Sequence, residues 1–268
     1  MKLMELVRGR RSVRTFDGNP ISEEKCAKIL DFAGKTENPY GIGIEWFLLS
    51  VKRDGLSVPV ITGADTYIAG KMKKVPHAEE AFGYAFEQIV LYCQSLGIGT
   101  TIIAGTMDRK RFEEKISLQE DEVMPCVSPL GYPAEKMSFR ETMMRKGIKA
   151  DTRLPGERLF FAETFDRPLV LKEEDPLYEL LETVRLAPSA VNRQPWRLIR
   201  KDGYIHFYEK KGLNQGDDWD VQKIDIGIAM THFALGLKEQ EKEVNFSFLD
   251  PKIPAERDLV YIASVEYH

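Results

Sequence analysis

The stretch Arg10-Arg11-Ser12-Val13-Arg14-Thr15-Phe16 sets three guanidinium groups and a serine hydroxyl close together at the expected end of a helix. Arginine offers planar, multidentate donors that suit phosphate oxygens, and serine adds a compact one. Anion binding is the chemistry such a cluster can do. Taken alone, it also fits a solvated basic face. A second stretch, Ala187-Pro188-Ser189-Ala190-Val191-Asn192-Arg193-Gln194-Pro195-Trp196, begins where a helix must stop. Proline at both ends stiffens the segment, so Ser189, Asn192 and Gln194 can be held toward one ligand at little ordering cost. The plainer alternative is a helix stop followed by a strand entry, with Ser189 and Asn192 closing turns.

No other segment offers a reactive centre of its own. The four histidines, His77, His206, His232 and His268, have no Cys, His or carboxylate at metal-ligand spacing on one helical face. No serine sits in a nucleophile elbow, and the Walker A pattern is missing. Cys26, Cys93 and Cys126 are few and far apart, as in a reducing compartment, and Cys93 lies in an apolar run that suggests a packed thiol. If the chain is an enzyme, its chemistry is expected from a cofactor. The net charge of -4 gives no reason to expect nucleic acid. No apolar run approaches the roughly 20 residues that span a bilayer, so no membrane partner is expected. Residues 1–14 carry no signal-peptide pattern, and a cytoplasmic location follows as the default expectation.

The elements that must position the two stretches occur twice. An amphipathic helix over 23–33 leads through a polar loop to a strand at Trp46–Ser50, which stops at Arg53-Asp54-Gly55. A second amphipathic helix over 177–187 leads through the Pro188–Pro195 loop to a strand at Trp196–Ile199, which stops at Lys201-Asp202-Gly203. Phe82–Leu91 and Ile226–Leu235 are both apolar on nearly every face, so both are read as buried helices, with Gly83 and Gly227 in register. Each half closes on a strand with a late tyrosine, Val127–Tyr132 and Tyr261–Tyr267. Three matches in one order indicate duplication. Helices and strands segregate without steady βαβα alternation, which argues for an α+β fold. The join is expected near 163–176, giving halves of residues 1–165 and 166–268.

An RRSxRxF stretch near the N-terminus and APSxxNxQPW between a helix and a strand resemble the two marks of the FMN-dependent nitroreductase family. Both stand almost unbroken here, and the resemblance covers most of the chain. It implies a nitroreductase-like fold of two related α+β halves, with antiparallel or mixed central sheets and a helical interface. Leu96–Gly105 looks like the family's passage that brings backbone amides near flavin N5 and O4, and Leu130-Gly131-Tyr132-Pro133 looks like its later strand end. Arg153-Leu154-Pro155 is similar to its C-terminal basic element. Carried over residue by residue, Arg10, Ser12 and Arg153 would bind the FMN phosphate, in the same cluster as Arg11, with Lys149 a weaker candidate. Arg14 would face the N1–C2=O2 edge, where a fixed cation stabilises the reduced flavin. Ala104 and Gly105 would offer N–H groups near N5, in the same passage as Ile102. Pro188, Ser189, Ala190 and Asn192, with Gln194 in the same loop, would cover the other side.

Family members are typically homodimers in which one subunit supplies the arginines and its partner the PSxxN loop. In this chain the first half has the arginines, but its equivalent loop, Gly34–Gly43, has lost the serine-asparagine pattern. The second half keeps the loop and lacks the arginines. The expectation is a monomer acting as an internal pseudo-dimer, with one complete site. Three functions stay open at this point. The first is NADH- or NADPH-dependent reduction of nitroaromatics, quinones or similar small acceptors; the second is FMN binding, storage or sensing without turnover. The third is an offshoot with different flavin chemistry, because function lives in the site and not in the fold.

Overall fold

The computed structural model describes residues 2–212 and 220–268. A short helix α1 (Leu3–Gly9) precedes two units built in the same order. The first runs α2 (Glu23–Gly34), β1 (Glu45–Ser50), a single turn α3 (Val51–Asp54), β2 (Thr66–Lys73) and α4 (Ala78–Ser95), then α5 (Arg109–Lys115), β3 (Glu122–Val123) and β4 (Val127–Leu130). A helix α6 (Phe139–Gly147) and a strand β5 (Phe160–Ala162) connect it to the second unit. That unit runs α7 (Pro176–Leu186), β6 (Trp196–Lys201), β7 (Tyr204–Lys210), α8 (Val221–Glu239), β8 (Phe246–Ser247) and β9 (Leu259–Glu266). Helix, two strands, long helix and closing strand recur in both.

Local chemistry sets the boundaries. Ser22 caps α2 by accepting from the Lys25 N–H at 3.3 Å, and Asp175 caps α7 with Pro176 in its first turn, where the missing N–H costs nothing. Asp202 and Gly203 both take positive φ, 49° and 79°, the two-residue turn that joins twisted antiparallel strands. It links β6 directly to β7. Strands β2 and β7 lie outside the repeat read from the sequence, yet each is central to its sheet. β2 pairs antiparallel with β1, β3 and β4. In the second sheet β7 lies between β6 and β9, with β8 beyond β9. β5 adds to the far edge, parallel to β6, so this sheet is mixed. The segment connecting the units thus ends as a strand in the second sheet.

The two units share one principal core. Apolar residues from α4, α8, α7 and both sheets form a single cluster, with smaller clusters behind each sheet. α4 and α8 pack along their lengths and are buried on nearly every face. Their closest approach is reciprocal. A Cβ on Gly83 would lie 2.0 Å from the carbonyl oxygen of Ile224, and one on Gly227 would lie 2.1 Å from that of Glu80. Each glycine thus meets the residue three positions before its counterpart, which is the signature of a two-fold relation between helices. The interface is internal to the chain. Among the described residues, no helix is long and apolar enough to cross a membrane.

Candidate active site

The arginine segment is extended backbone pinned on both sides. Val13 N–H donates to Thr100 O at 2.9 Å, Phe16 N–H to Thr62 O at 2.8 Å, and Asp17 N–H to Tyr132 O at 3.0 Å. Two glycines permit this approach: a Cβ on Gly99 would fall 2.8 Å from Val13 Cγ2, and one on Gly131 2.7 Å from Phe16 Cδ1. Successive side chains of an extended segment alternate in direction. Val13 accordingly buries in the core, while Arg10, Ser12 and Arg14 line one cavity.

Opposite them, the loop after α7 carries three non-glycine residues at positive φ: Val191 (44°), Asn192 (58°) and Gln194 (52°). A β-branched residue there is strained and persists only when its surroundings over-determine it. They do so here. Gln194 N–H donates to Ser189 Oγ at 2.9 Å. Ala190 N–H donates to both oxygens of Asp225, at 3.0 and 3.1 Å. Asn192 Nδ2 donates to the carbonyls of Lys149 (2.7 Å) and Thr152 (3.0 Å), and Arg153 Nη1 donates to Asn192 Oδ1 at 3.3 Å. Leu154 N–H donates to Gln194 Oε1 at 2.8 Å. The loop after α7 and the segment after α6 are therefore clasped together.

Two adjoining cavities result. The larger, about 270 Å³, is lined mainly by apolar and hydroxyl side chains from both halves, among them Val60, Val90, Thr101, Ile102, Met144 and Ile224. The smaller, about 230 Å³, is lined by Arg8, Arg10, Arg11, Arg145 and Arg153, with Asp151 as the only carboxylate on its wall. Arg10, Ser12, Ile148, Pro188 and Ser189 line both and mark the neck between them. Together the cavities fall within the ~300–1,000 Å³ typical of small-molecule sites. Several guanidinium nitrogens are buried without a hydrogen-bond partner among the described residues: Nε of Arg10, Nε and Nη1 of Arg14, and Nε of Arg153. Burial lowers the pKa of Arg10 and Arg14, and burial with the neighbouring Arg10 brings Arg153 down to about 10. Buried cationic donors left open in this way suit an anionic ligand with many acceptor oxygens.

The structure brings most of the expected residues to this cleft. Arg10, Ser12, Arg14, Ile102, Ala104, Pro188, Ser189 and Ala190 line the larger cavity, and Arg11, Arg153 and Asn192 line the smaller. Gly105, Lys149 and Gln194 are not among the lining residues. Lys149 is exposed and lends its carbonyl to Asn192, while Gln194 is buried and bonded within the clasp. Arg11 is partly spent, since its Nη1 donates to Glu141 Oε1 at 3.0 Å. Sequence reasoning missed Arg145, which sits on α6, donates to Ser12 O at 3.4 Å and pairs with Asp151. It also missed Glu87 and Asp225, two buried carboxyls on the wall of the larger cavity. Burial holds Asp225 well above the usual carboxylate range.

The pseudo-symmetric location looks different. In the Gly83–Gly227 register, Val221 of the larger cavity corresponds to His77. His77 stacks on Tyr40 of the 34–43 loop, with ring centroids 5.0 Å apart, and Tyr40 stacks on Phe248 at 4.6 Å. Three stacked rings stand at the counterpart of Val221.

Residues 2–237 match the family described as "Putative TM nitroreductase". This chain belongs to the nitroreductase family. It is similar over 99% of its length to a solved structure described as a "putative nitroreductase" from Thermotoga maritima MSB8, at 21% identity, 94% coverage of that chain and a TM-score of 0.62. That likeness shows the fold. A nitroreductase family protein from Clostridium novyi NT (18% identity, TM-score 0.43) and an FMN-dependent nitroreductase from Clostridium difficile R20291 (20%, 0.44) each align with 50% of this chain, over 87% and 90% of their own lengths. No curated protein matches the chain.

Proposed function

We propose that this chain is an FMN-dependent oxidoreductase that takes electrons from NADH or NADPH and passes them to nitroaromatics, quinones or similar small flat acceptors. One observation carries the reading: a cleft whose narrow end is walled by arginines with unpartnered buried donors, and whose wide end is lined mainly by apolar and hydroxyl side chains. A phosphate on a planar heteroaromatic ring asks for that pair of environments. Bound FMN would supply the redox chemistry, accepting a hydride from the nicotinamide and returning electrons to the acceptor. Arg10, Ser12, Arg153 and Arg145 would hold the phosphate, with Arg11 at the rim and Lys149 a weaker candidate. Arg14 lines the wide end and would face the N1–O2 edge. Ile102, Ala104 and Gly105 would flank N5, and Pro188, Ser189 and Ala190 would cover the opposite face. Asn192 and Gln194 would act by holding that loop in place.

In this reading the halves divide at residues 165 and 166, with β5 as the arm of the first crossing to the second. A fused partner makes the composite site without a second molecule. The stack of Tyr40, His77 and Phe248 supports one FMN per chain, because aromatic side chains stand at the counterpart of Val221, which lines the larger cavity. Anaerobic addition of NADH or NADPH to the FMN-loaded protein tests the oxidoreductase reading. Bleaching of the flavin followed by reoxidation on adding a quinone is expected; a flavin that stays oxidised with both donors would leave only a flavin-binding protein.

A further inference from the structure

A buried acceptor with no partner lies at the wall of the larger cavity. Glu87 on α4 and His232 on α8 are both 0% exposed and join the two halves. His232 Nδ1 lies 2.8 Å from the carbonyl oxygen of Thr183, and its Nε2 lies 2.9 Å from Glu87 Oε1. A carbonyl only accepts, so Nδ1 bears a hydrogen, and Nε2 and Oε1 share one proton between them. Whichever of the two holds it, Glu87 Oε2 remains an acceptor. That oxygen is buried and has no hydrogen-bond partner among the described residues.

Glu87 shares the larger cavity with Arg10, which marks its neck. The two side chains attract each other electrostatically, yet among the described residues no ion pair joins them, and Arg10 Nε is unpartnered as well. A ligand group that met both Arg10 Nε and Glu87 Oε2 would have to accept and donate. Deprotonated phosphate oxygens and ring carbonyls only accept and a flavin ring N–H only donates, whereas a hydroxyl does both. Resting on the FMN reading, we infer that Glu87, oriented by His232 of the other half, accepts a hydrogen bond from a hydroxyl of the ligand's ribityl chain. The site thereby selects a polyhydroxylated linker between ring and phosphate. The counterpart positions differ in a way that agrees with this. In the Gly83–Gly227 register Thr231 stands for Glu87 and Gln88 for His232. The Thr231 hydroxyl faces the carbonyls of Tyr84 (2.7 Å) and Gly227 (3.1 Å), and Gln88 Nε2 donates to the carbonyls of Glu37 and Tyr84. Neither presents a carboxyl acceptor.

The test compares two ligands by equilibrium titration of flavin fluorescence: FMN, and an FMN analogue whose ribityl chain is replaced by an unsubstituted phosphopentyl chain. The wild type should bind FMN at least about tenfold more tightly than the analogue, which lacks all three ribityl hydroxyls, tenfold being the worth of one good hydrogen bond. Glu87→Leu, which removes the acceptor, should lose about tenfold of that preference while binding the analogue as the wild type does, and His232→Gln should lose part of it. The wild-type comparison needs no variant, so a misfolded mutant does not spoil the test. Equal wild-type affinity for the two ligands would overturn the inference, as would full discrimination by folded Glu87→Leu. Binding of neither ligand by the wild type would instead remove the FMN reading on which the inference rests.

Discussion

Gly83→Ala asks α4 and α8 to occupy the same space. The added Cβ would lie 2.0 Å from the Ile224 carbonyl oxygen and 2.9 Å from its Cα. Real Cβ contacts essentially never fall below 3.0 Å, so something must move by about 1 Å. The obstacle is helix backbone and cannot rotate away as a side chain tip would. Overpacking of this kind costs about 1–3 kcal/mol or more, and a rigid backbone neighbour puts it at the upper end. The gain in helix propensity from glycine to alanine returns about 1 kcal/mol. The net loss is roughly 2 kcal/mol, or about 4–8 °C in Tm for a chain of this size. Gly227→Ala meets the Glu80 carbonyl at 2.1 Å and should cost nearly the same. Gly34→Ala, at the end of α2 with nothing within 4 Å, is the control and should be neutral or slightly stabilising. Thermal and denaturant unfolding of the three variants decides the matter. If Gly83→Ala and Gly227→Ala match the control, α4 and α8 do not cross at these glycines and the two-fold relation fails.

Arg10→Ala should weaken FMN binding roughly 10- to 100-fold, since hydrogen bonds to charged groups are worth about 1.5–3 kcal/mol, as read by flavin titration. Arg14→Gln should instead lower the flavin midpoint potential by some tens of millivolts, about 30 mV for each 1.4 kcal/mol of lost stabilisation in a two-electron couple, and identical behaviour of the two variants would show the roles to be wrong. Asn192→Ala should reduce FMN affinity about tenfold by releasing the loop from Lys149 and Thr152, whereas Asn38→Ala, whose side chain bonds only within its own loop at Tyr40 and Ile42, should leave it unchanged. Glu209 on β7 is buried, with neither carboxyl oxygen hydrogen-bonded among the described residues. Burial first, then the charge of Asp220, pushes it up to about 7 from 4.5. The folded chain therefore keeps this proton to higher pH than the unfolded one, so stability should fall by roughly 2–3 kcal/mol as pH rises from about 4.5 to about 7, and level off above. Denaturant unfolding across that range should show a shallower slope for Glu209→Gln.

The parts of the fold legible in the sequence are those governed by local rules. Continuous apolar faces mark α4 and α8, and the Gly83–Gly227 register already contains their crossing. The helix-loop-strand order around Trp46 and Trp196 follows from amphipathic period and proline punctuation. β2 escapes the same reasoning because Gly70 and Lys71 weaken its strand pattern. The structure supplies the reason for the glycine: a Cβ there would strike the Trp46 ring at 2.5 Å. At the site, Arg10, Ser12 and the Pro188 loop are visible as motifs. Arg145 is not, since Arg145-Lys146 reads as the solvated last turn of a helix until α6 folds back onto Ser12. Glu87 is hidden in an apolar helix, and no spacing rule along one helix pairs His232 with a carboxylate in the other half. Asn192 shows the reverse limit. Its motif predicts ligand contact, while its amide is spent on the carbonyls of Lys149 and Thr152.

The central claim is that one chain builds one FMN site from both of its halves. Flavin titration of the purified protein under stoichiometric conditions, read beside its mass under native conditions, tests this most directly. The account predicts a monomer that saturates at one FMN per chain, with FMN and not FAD recovered when the bound chromophore is released by heat. Two FMN per chain, recovery of FAD, or no binding of FMN supplied in excess would contradict it.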